Sequence, residues 1–354
     1  MKIYSKSFYG THHSWACTMR SIMKEYLKDH CVSIDSINGY SYCPDDLKER
    51  KGIYIPKPDI EICYTIPRNF SNRFKRKSKL KLALYNYESN PMPIEWKNSI
   101  NYIDYVLPSS NYSKQIFVDS GWSEEKCRVI PLGYDPSSIL EKRNKKLDEL
   151  GTFNFLSVSI PHYRKNLDLL IDAYYNSFTN KDNVCLIIKT QIKEKGNYFE
   201  LNVLNLLKEK QRSRNKSALP KIYIMDDFFE NMSEIYNSTH CIVNCASAEG
   251  FGLPMLEALA HRRIVIAPNK GGQIDFLNKN NSILFDSEIG VVPENHQYWM
   301  PNKKGEGVVF NVNDLSEKML FVYKNHKKLT NTLDFSIDDK FTWNSISKKI
   351  LCLS

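Results

Sequence analysis

Short runs rich in β-branched and aromatic residues alternate with longer runs of helical spacing along almost the whole chain, and this alternation constrains the fold most. Ile3–Phe8, Ile60–Ile66 and Leu80–Tyr85 read as strands, and Trp15–Lys28 reads as an amphipathic helix. Val106–Pro108 ends a further strand, a helix follows near Ser113–Ser120, and Arg128–Pro131 reads as a strand again. The charged run Glu141-Lys142-Arg143-Asn144-Lys145-Lys146 and the breaker Gly151 then interrupt the pattern. Beyond them, strands are expected at Phe153–Ser159, Val184–Lys189, Ile222–Met225, Cys241–Cys245 and Ile264–Ala267. Helices are expected at Leu167–Phe178, Glu200–Glu209, Met232–Ser238 and Pro254–His261. Such a rhythm builds parallel sheets covered by helices. At about 150 residues per domain, 354 residues make two domains. We place them at residues 1–145 and 151–340, with the short amphipathic helix of 341–354 packing on either one. The expectation is an α/β chain of two doubly wound Rossmann-like domains facing across a cleft, with ligands beyond the carboxyl ends of the strands.

Composition narrows the classes. Apolar residues at 42% and charged residues at 25% suit an ordinary globular protein, and 15 Pro with 14 Gly exclude a collagen-like or mainly disordered chain. No apolar run approaches the roughly 18 residues that would span a bilayer, and Met1–Lys6 lacks the apolar stretch of a secretory signal. The nine cysteines are odd in number and scattered, without Cys-x-x-Cys, which favours a reducing cytoplasm over a disulfide framework or a structural zinc. The net charge of +9 favours polyanionic partners, although Lys, Asn, Ile and Tyr are also what an AT-rich genome supplies.

The most informative stretch is Cys241-Ile242-Val243-Asn244-Cys245-Ala246-Ser247-Ala248-Glu249-Gly250-Phe251-Gly252-Leu253-Pro254-Met255-Leu256-Glu257-Ala258-Leu259-Ala260. A strand leads into a glycine-flanked turn that opens a helix. Pro254 suits a first helical turn, where its missing N–H costs nothing. Gly250 and Gly252 let a ligand approach the backbone, and the N–H groups of a helix start bind anions or sugar hydroxyls. Glu249 in the turn and Glu257 about one helical turn later are two carboxylates for one pocket. A carboxylate accepts two hydrogen bonds, which fits a vicinal diol.

This stretch resembles the signature of the family-4 retaining glycosyltransferases, in the Glu-Gly-Phe-Gly-Leu-Pro-x-Leu-Glu-Ala form, and that family has the GT-B fold. Phe155–Ile171, with Arg164-Lys165-Asn166 inside it, is similar to the opening of the family's donor domain. Arg128-Val129-Ile130-Pro131-Leu132-Gly133-Tyr134-Asp135 is similar to its inter-domain entry, and Lys270-Gly271-Gly272-Gln273 to its Gly-Gly turn. Tyr87-Glu88-Ser89-Asn90-Pro91-Met92-Pro93-Ile94-Glu95-Trp96 looks like a segment of one branch. The chain departs from many relatives in two places: Ser159 and Ile160 stand where they carry a diphosphate-directed arginine, and Tyr87-Glu88 stands in the region of an acceptor-side histidine.

The resemblance implies a metal-independent enzyme without a cofactor that moves a hexose or pentose from a nucleotide-diphosphate sugar, UDP- or GDP-linked, to a hydroxyl with retention. In that scheme Lys165, seconded by Arg164, and the helix starts after Asn166 and Gly252 hold the diphosphate. Glu257 takes the ribose. Glu249 binds the transferred sugar and adds negative charge near the developing cation, and the amides of Phe251, Gly252 and Leu253 orient it. The leaving phosphate oxygen accepts the acceptor's proton. Asp226-Asp227 reads as a post-strand turn near the nucleotide rather than a metal site, since no Asp-x-Asp occurs.

On the acceptor side, Gly10-Thr11-His12-His13-Ser14 matches the family's first loop, with Gly10 toward the donor and either histidine toward phosphate or acceptor. The other reading is a surface histidine pair with Ser14 as N-cap. Residues 68–81 carry seven basic side chains and no acidic one, with Phe70 and Phe74 between them. Arg73 and Arg76, like Glu88, are therefore candidates on the acceptor side. This loop reads as footing for a nucleic acid, an anionic membrane surface or an acidic glycan, or as a solvated basic loop. The acceptor expected from the resemblance is a surface glycan or glycolipid precursor. The alternatives are hydroxyl-bearing modified bases of DNA and a non-catalytic polyanion-binding protein. The location expected is the cytoplasm, or a host's cytoplasm for a viral protein, or the periphery of a membrane.

Overall fold

A computed structural model describes residues 1–192, 201–214, 218–227, 229, 231–293 and 305–354. The chain divides into two compact units, one of Met1–Asp135 with Asp338–Ser354 and one of Pro136–Ile337.

Unit 1 contains β1 (Lys2–Ser7), α1 (Ser14–Leu27), β2 (Cys31–Ser36), α2 (Asp45–Lys48), β3 (Ile60–Tyr64), α3 (Phe70–Arg73), β4 (Leu80–Leu84), β5 (Tyr105–Leu107) and α4 (Asn111–Asp119). Its five strands form one parallel sheet in the order β2-β1-β3-β4-β5. Every residue of β3, the central strand, is buried, as expected where helices cover both faces of a parallel sheet. Glu61 on that strand accepts a 2.9 Å hydrogen bond from the Ser78 hydroxyl, and burial raises its carboxyl.

Unit 2 contains α5 (Lys145–Asp148), β6 (Phe153–Val158), α6 (Leu167–Ser177), β7 (Val184–Lys189), α7 (Val203–Arg212), β8 (Lys221–Met225), α8 (Ser233–Asn237) and β9 (Cys241–Val243). There follow α9 (Leu253–Ala260), β10 (Ile264–Pro268), β11 (Ile283–Phe285), β12 (Glu288–Val291), β13 (Glu306–Val309) and α10 (Val312–Thr332). Six strands form a parallel sheet ordered β11-β10-β9-β6-β7-β8, and β12 pairs antiparallel with β13. In this order β6 and β9 are neighbours, with Leu156 opposite Ile242, so the loops that follow them lie side by side. The last helix, α11 (Trp343–Leu351), returns to unit 1. There Tyr134 and Phe341 share a 2.9 Å backbone bond, and the Tyr26 hydroxyl donates to Ser347 O. Among the described residues no helix is long and apolar enough to cross a membrane.

Several segments differ from the sequence reading. Arg128–Pro131 is not a strand: Arg128 N and Ile130 N bond to Val106 O and Pro108 O, so the segment runs beside β5 with one bridge only, Val106 to Cys127. β2 escaped the reading because Cys-Val-Ser-Ile-Asp-Ser lacks an apolar run, its Ser33 hydroxyl being satisfied by Ile53 O at 2.6 Å. α10, with 21 residues, buries only a narrow stripe of Leu315, Met319, Val322 and Leu329 among lysines, which hid its period. The charged run reads as an interruption yet belongs to unit 2, because Leu140 N and Asn144 N bond to the hydroxyls of Ser233 and Ser238. Glu200, the first residue of one expected helix, lies outside the described residues.

Candidate functional site

The residues singled out in unit 2 gather at the carboxyl ends of β6 and β9. After β6 a tight turn over Tyr163–Lys165 ends on Asn166, which holds a left-handed conformation at φ 51° and ψ 40°. Asn tolerates that region better than most residues. Its side-chain amide donates to Cys245 O and the Ser247 hydroxyl, each at 2.8 Å. Ser247 N donates to Arg164 O at 2.8 Å, and Arg164 Nη1 donates to Ala248 O at 2.5 Å. The two loops are thus laced together by backbone and side chain, and the lacing aligns Lys165 with Glu249.

Lys165 Nζ lies 2.6 Å from Glu249 Oε2, with the two side chains only 11% and 14% exposed. Asn244 Nδ2 adds a 3.4 Å bond to the same oxygen. Burial alone would raise the Glu249 carboxyl, but Lys165, Arg164 and these hydrogen bonds outweigh it and hold it below the usual range. The acid is therefore ionised at neutral pH. Breaking such a pair by removing one partner leaves a buried charge uncompensated.

Behind Glu249, Gly250 and Phe251 lead to Gly252, whose φ of 92° only glycine adopts without strain, and Leu253 with Pro254 opens α9. The turn is fixed from below by Gly272, whose N–H donates to Glu249 O at 2.9 Å. A Cβ on Gly272 would stand 2.1 Å from Gly250 O. α6 and α9 share a further property. The other described helices of eight residues or more, α1, α4, α7, α10 and α11, begin with a side chain that accepts from a first-turn N–H. α6 and α9 begin on Asn166 and Gly252 with no such side-chain cap. Two helix starts without a side-chain cap, each the positive end of its helix dipole, thus stand beside Lys165.

Glu257 sits one turn into α9 with other partners. The buried Tyr236 hydroxyl donates to its Oε2 at 2.7 Å, and burial, partly offset by this bond, pushes the carboxyl up to about 7. His261 stacks near Tyr236 and bonds Glu257 O and the Ser233 hydroxyl at 2.7 and 2.8 Å, which steadies the helix behind the acid. Three residues escaped the sequence reading. Asn244, just after β9, and Tyr236, in the short helix α8, orient the two acids. Lys189 ends β7, where burial lowers its ammonium against the opposing pull of Asp226 and Asp227. A lysine closing an otherwise apolar strand was the available signal.

In unit 1 the first-loop residues gather at the carboxyl end of β1. A Cβ on Gly10 would meet Gly39 O at 2.4 Å, and Gly10 N bonds Asn38 Oδ1 at 3.2 Å, so the glycine allows two loops to touch. The N-cap of α1 is His13, not Ser14: its Nδ1 accepts from Ala16 N at 3.3 Å. Packing against Phe8 and Trp15, with Arg20 nearby, lowers the His13 imidazole to about 4, and the neutral ring is the one able to cap. His12 lies against Tyr42 with ring centroids 3.6 Å apart. Arg20 braces the loop through Tyr9 O and Thr11 O at 2.8 and 2.6 Å. Trp15 stacks on Tyr64 at 4.8 Å and meets Tyr85 edge-on, while Glu88 follows Tyr87, whose backbone is held by the Ser113 hydroxyl.

The structure does not bring Arg76 to this edge. Arg76 lies over the Tyr4 ring at 3.7 Å, donates to Ile55 O at 2.9 Å and approaches Asp35 at 3.9 Å, against β1 and β2. Arg73 packs in α3 beside Cys63, with its Nε buried and without a hydrogen-bond partner among the described residues. Among the described residues no three His, Cys, Asp or Glu side chains group as metal ligands.

The chain is 31% identical over 142 residues to the probable sucrose-phosphate synthase 1 of Oryza sativa subsp. indica, a match covering 37% of this chain and 13% of that protein. The whole chain superposes on Anabaena HepE in complex with UDP, with a TM-score of 0.73 at 13% identity, covering 100% of this chain and 99% of that one. A glycosyltransferase from Rickettsia africae ESF-5 gives a TM-score of 0.67 at 16% identity, covering 99% and 97%. The fold is therefore GT-B, with a Rossmann-like domain in each unit, and residues 152–291 match the family model Glycosyl transferases group 1.

Proposed function

We propose that this chain is a retaining glycosyltransferase of the group 1 type that uses a nucleotide-diphosphate sugar, UDP-linked in first preference. The observation that carries the reading is the buried Lys165–Glu249 pair between the only two long described helices without side-chain caps, α6 and α9. A diphosphate supplies what both helix starts lack, and Lys165 shifts from Glu249 toward its oxygens as the leaving group gains charge. Glu249, ionised, then accepts from hydroxyls of the transferred sugar and stabilises the oxocarbenium-like centre. Glu257 accepts from the ribose diol. The leaving phosphate oxygen takes the acceptor's proton, so no separate base is required. The match to residues 152–291 and the UDP complex of HepE support the donor class.

The acceptor is a glycan or glycolipid hydroxyl, with the aromatic edge around Trp15 and Tyr64 and the loop of His12 and His13 as its candidates on unit 1. Hydroxyl-bearing DNA bases are a weaker reading, because Arg76 is engaged within the fold by the Tyr4 ring and Ile55 O. The test is a thermal-shift panel of UDP, GDP, ADP and CMP, followed by donor hydrolysis and transfer assays. We expect a shift with one nucleoside diphosphate and a loss of turnover of about a hundredfold or more in Lys165→Ala. A Lys165→Ala or Glu249→Ala protein that folds and turns over normally would refute the assignment.

A further inference from the structure

The basic segment of unit 1 reads in the sequence as footing for an acceptor, but the fold places most of it elsewhere. Lys79 N bonds Pro58 O, Leu80 N bonds Asp59 O, and Arg76 ties the segment to Ile55 O. Residues 74–79 and 54–58 therefore lie together where β3 and β4 begin. Five-residue strands separate that edge from the carboxyl edge by roughly 16 Å. The same surface continues along β2, where Lys51 bridges Ile34.

The side chains there have a consistent chemistry. Arg50, Lys51, Lys57, Lys75 and Lys77 are exposed, and among the described residues none forms an ion pair with a carboxylate. Arg76 and Lys79, by contrast, approach Asp35 and Asp59. Amid the five stands Tyr54, 80% exposed, the most exposed of the large hydrophobic residues. Lys51 also lies over the Tyr40 ring at 5.2 Å. A basic field without carboxylate partners around one protruding amphipathic ring suits a flat anionic surface with an apolar layer beneath it. The lysines remain among head groups while tyrosine sits at the interface. A single-stranded nucleic acid would instead call for a groove with successive stacking rings, and a duplex would leave Tyr54 without a role, since its phosphates need only the cations.

We propose that this surface, centred on Tyr54 with Arg50, Lys51, Lys57, Lys75 and Lys77, docks the protein on anionic lipid bilayers. Docking here is independent of the transfer chemistry, because none of these six residues belongs to the donor site. The test is co-sedimentation of the full chain with vesicles of phosphatidylcholine containing 30% phosphatidylserine, and with phosphatidylcholine alone. We expect binding to the anionic vesicles only, abolished in 1 M salt and reduced about a hundredfold in the K57A/K75A/K77A variant. Tyr54→Ala should weaken it several-fold and Tyr54→Trp should restore it. Thermal unfolding of each variant like the parent establishes that it is folded. Equal binding to neutral vesicles, or a triple variant that binds as the parent does, overturns the proposal. So does binding of a short DNA duplex through these residues without any vesicle binding.

Discussion

The carboxyl edges of the two sheets are built on one plan and furnished with opposite chemistry. In both, a glycine lets two loops touch: Gly10 against Gly39 in unit 1 and Gly272 against Gly250 in unit 2. In unit 1 the helix that follows is capped by a neutral histidine, and the surroundings are stacked rings, Trp15 on Tyr64 and Phe8 against His13. In unit 2 the helices that follow are uncapped, and the surroundings are an ion pair and polar lacing. The proposed diphosphate site thus falls at the edge whose two helix starts lack side-chain caps and stand beside a lysine.

The largest effect on this comparison is expected from the paired glycines. Gly272→Ala and Gly10→Ala should each cost about 3 kcal/mol in denaturant unfolding, because each Cβ meets backbone that cannot move aside. Only Gly272→Ala should also abolish nucleoside diphosphate binding, since it displaces the Glu249 turn. Equal loss of nucleotide binding in both would break the contrast.

Next comes Glu257. Burial pushes its carboxyl up to about 7 in the free protein, and in the role proposed for it the ribose hydroxyls bind the ionised form. Nucleotide affinity should therefore rise roughly tenfold from pH 6 to pH 8. Stability without ligand runs the other way. The folded chain keeps this proton up to about 7 while the unfolded chain releases it near 4.3, so the stabilisation is lost as pH rises through that window. Glu257→Gln should flatten both slopes, measured by calorimetric titration and urea unfolding. Slopes unchanged in the variant would assign the titration to another group.

The smallest effect should come from Trp15→Leu. Loss of the stack on Tyr64 should cost about 1 kcal/mol of stability, with nucleotide affinity unaltered. Weaker nucleotide binding in that variant would show that the two edges are not chemically separate.

The chain's own pattern determined the parallel α/β rhythm, because strands buried on both faces, such as β3, β6 and β7, must be nearly continuous apolar runs. It also determined the Glu249-to-Leu253 turn, since a glycine at φ 92° followed by proline is a local requirement written in adjacent residues. Only the tertiary structure decided which distant groups meet. The bond from Lys165 to Glu249 spans 84 positions and exists because β9, besides its neighbour β10, pairs with the distant β6 and not with β8. The same holds for Arg76, which reads as one of seven free cations until the fold lays it on Tyr4. Local backbone preference acts over a few residues, whereas charge pairing and ring stacking depend on strand order, which no short stretch of sequence contains.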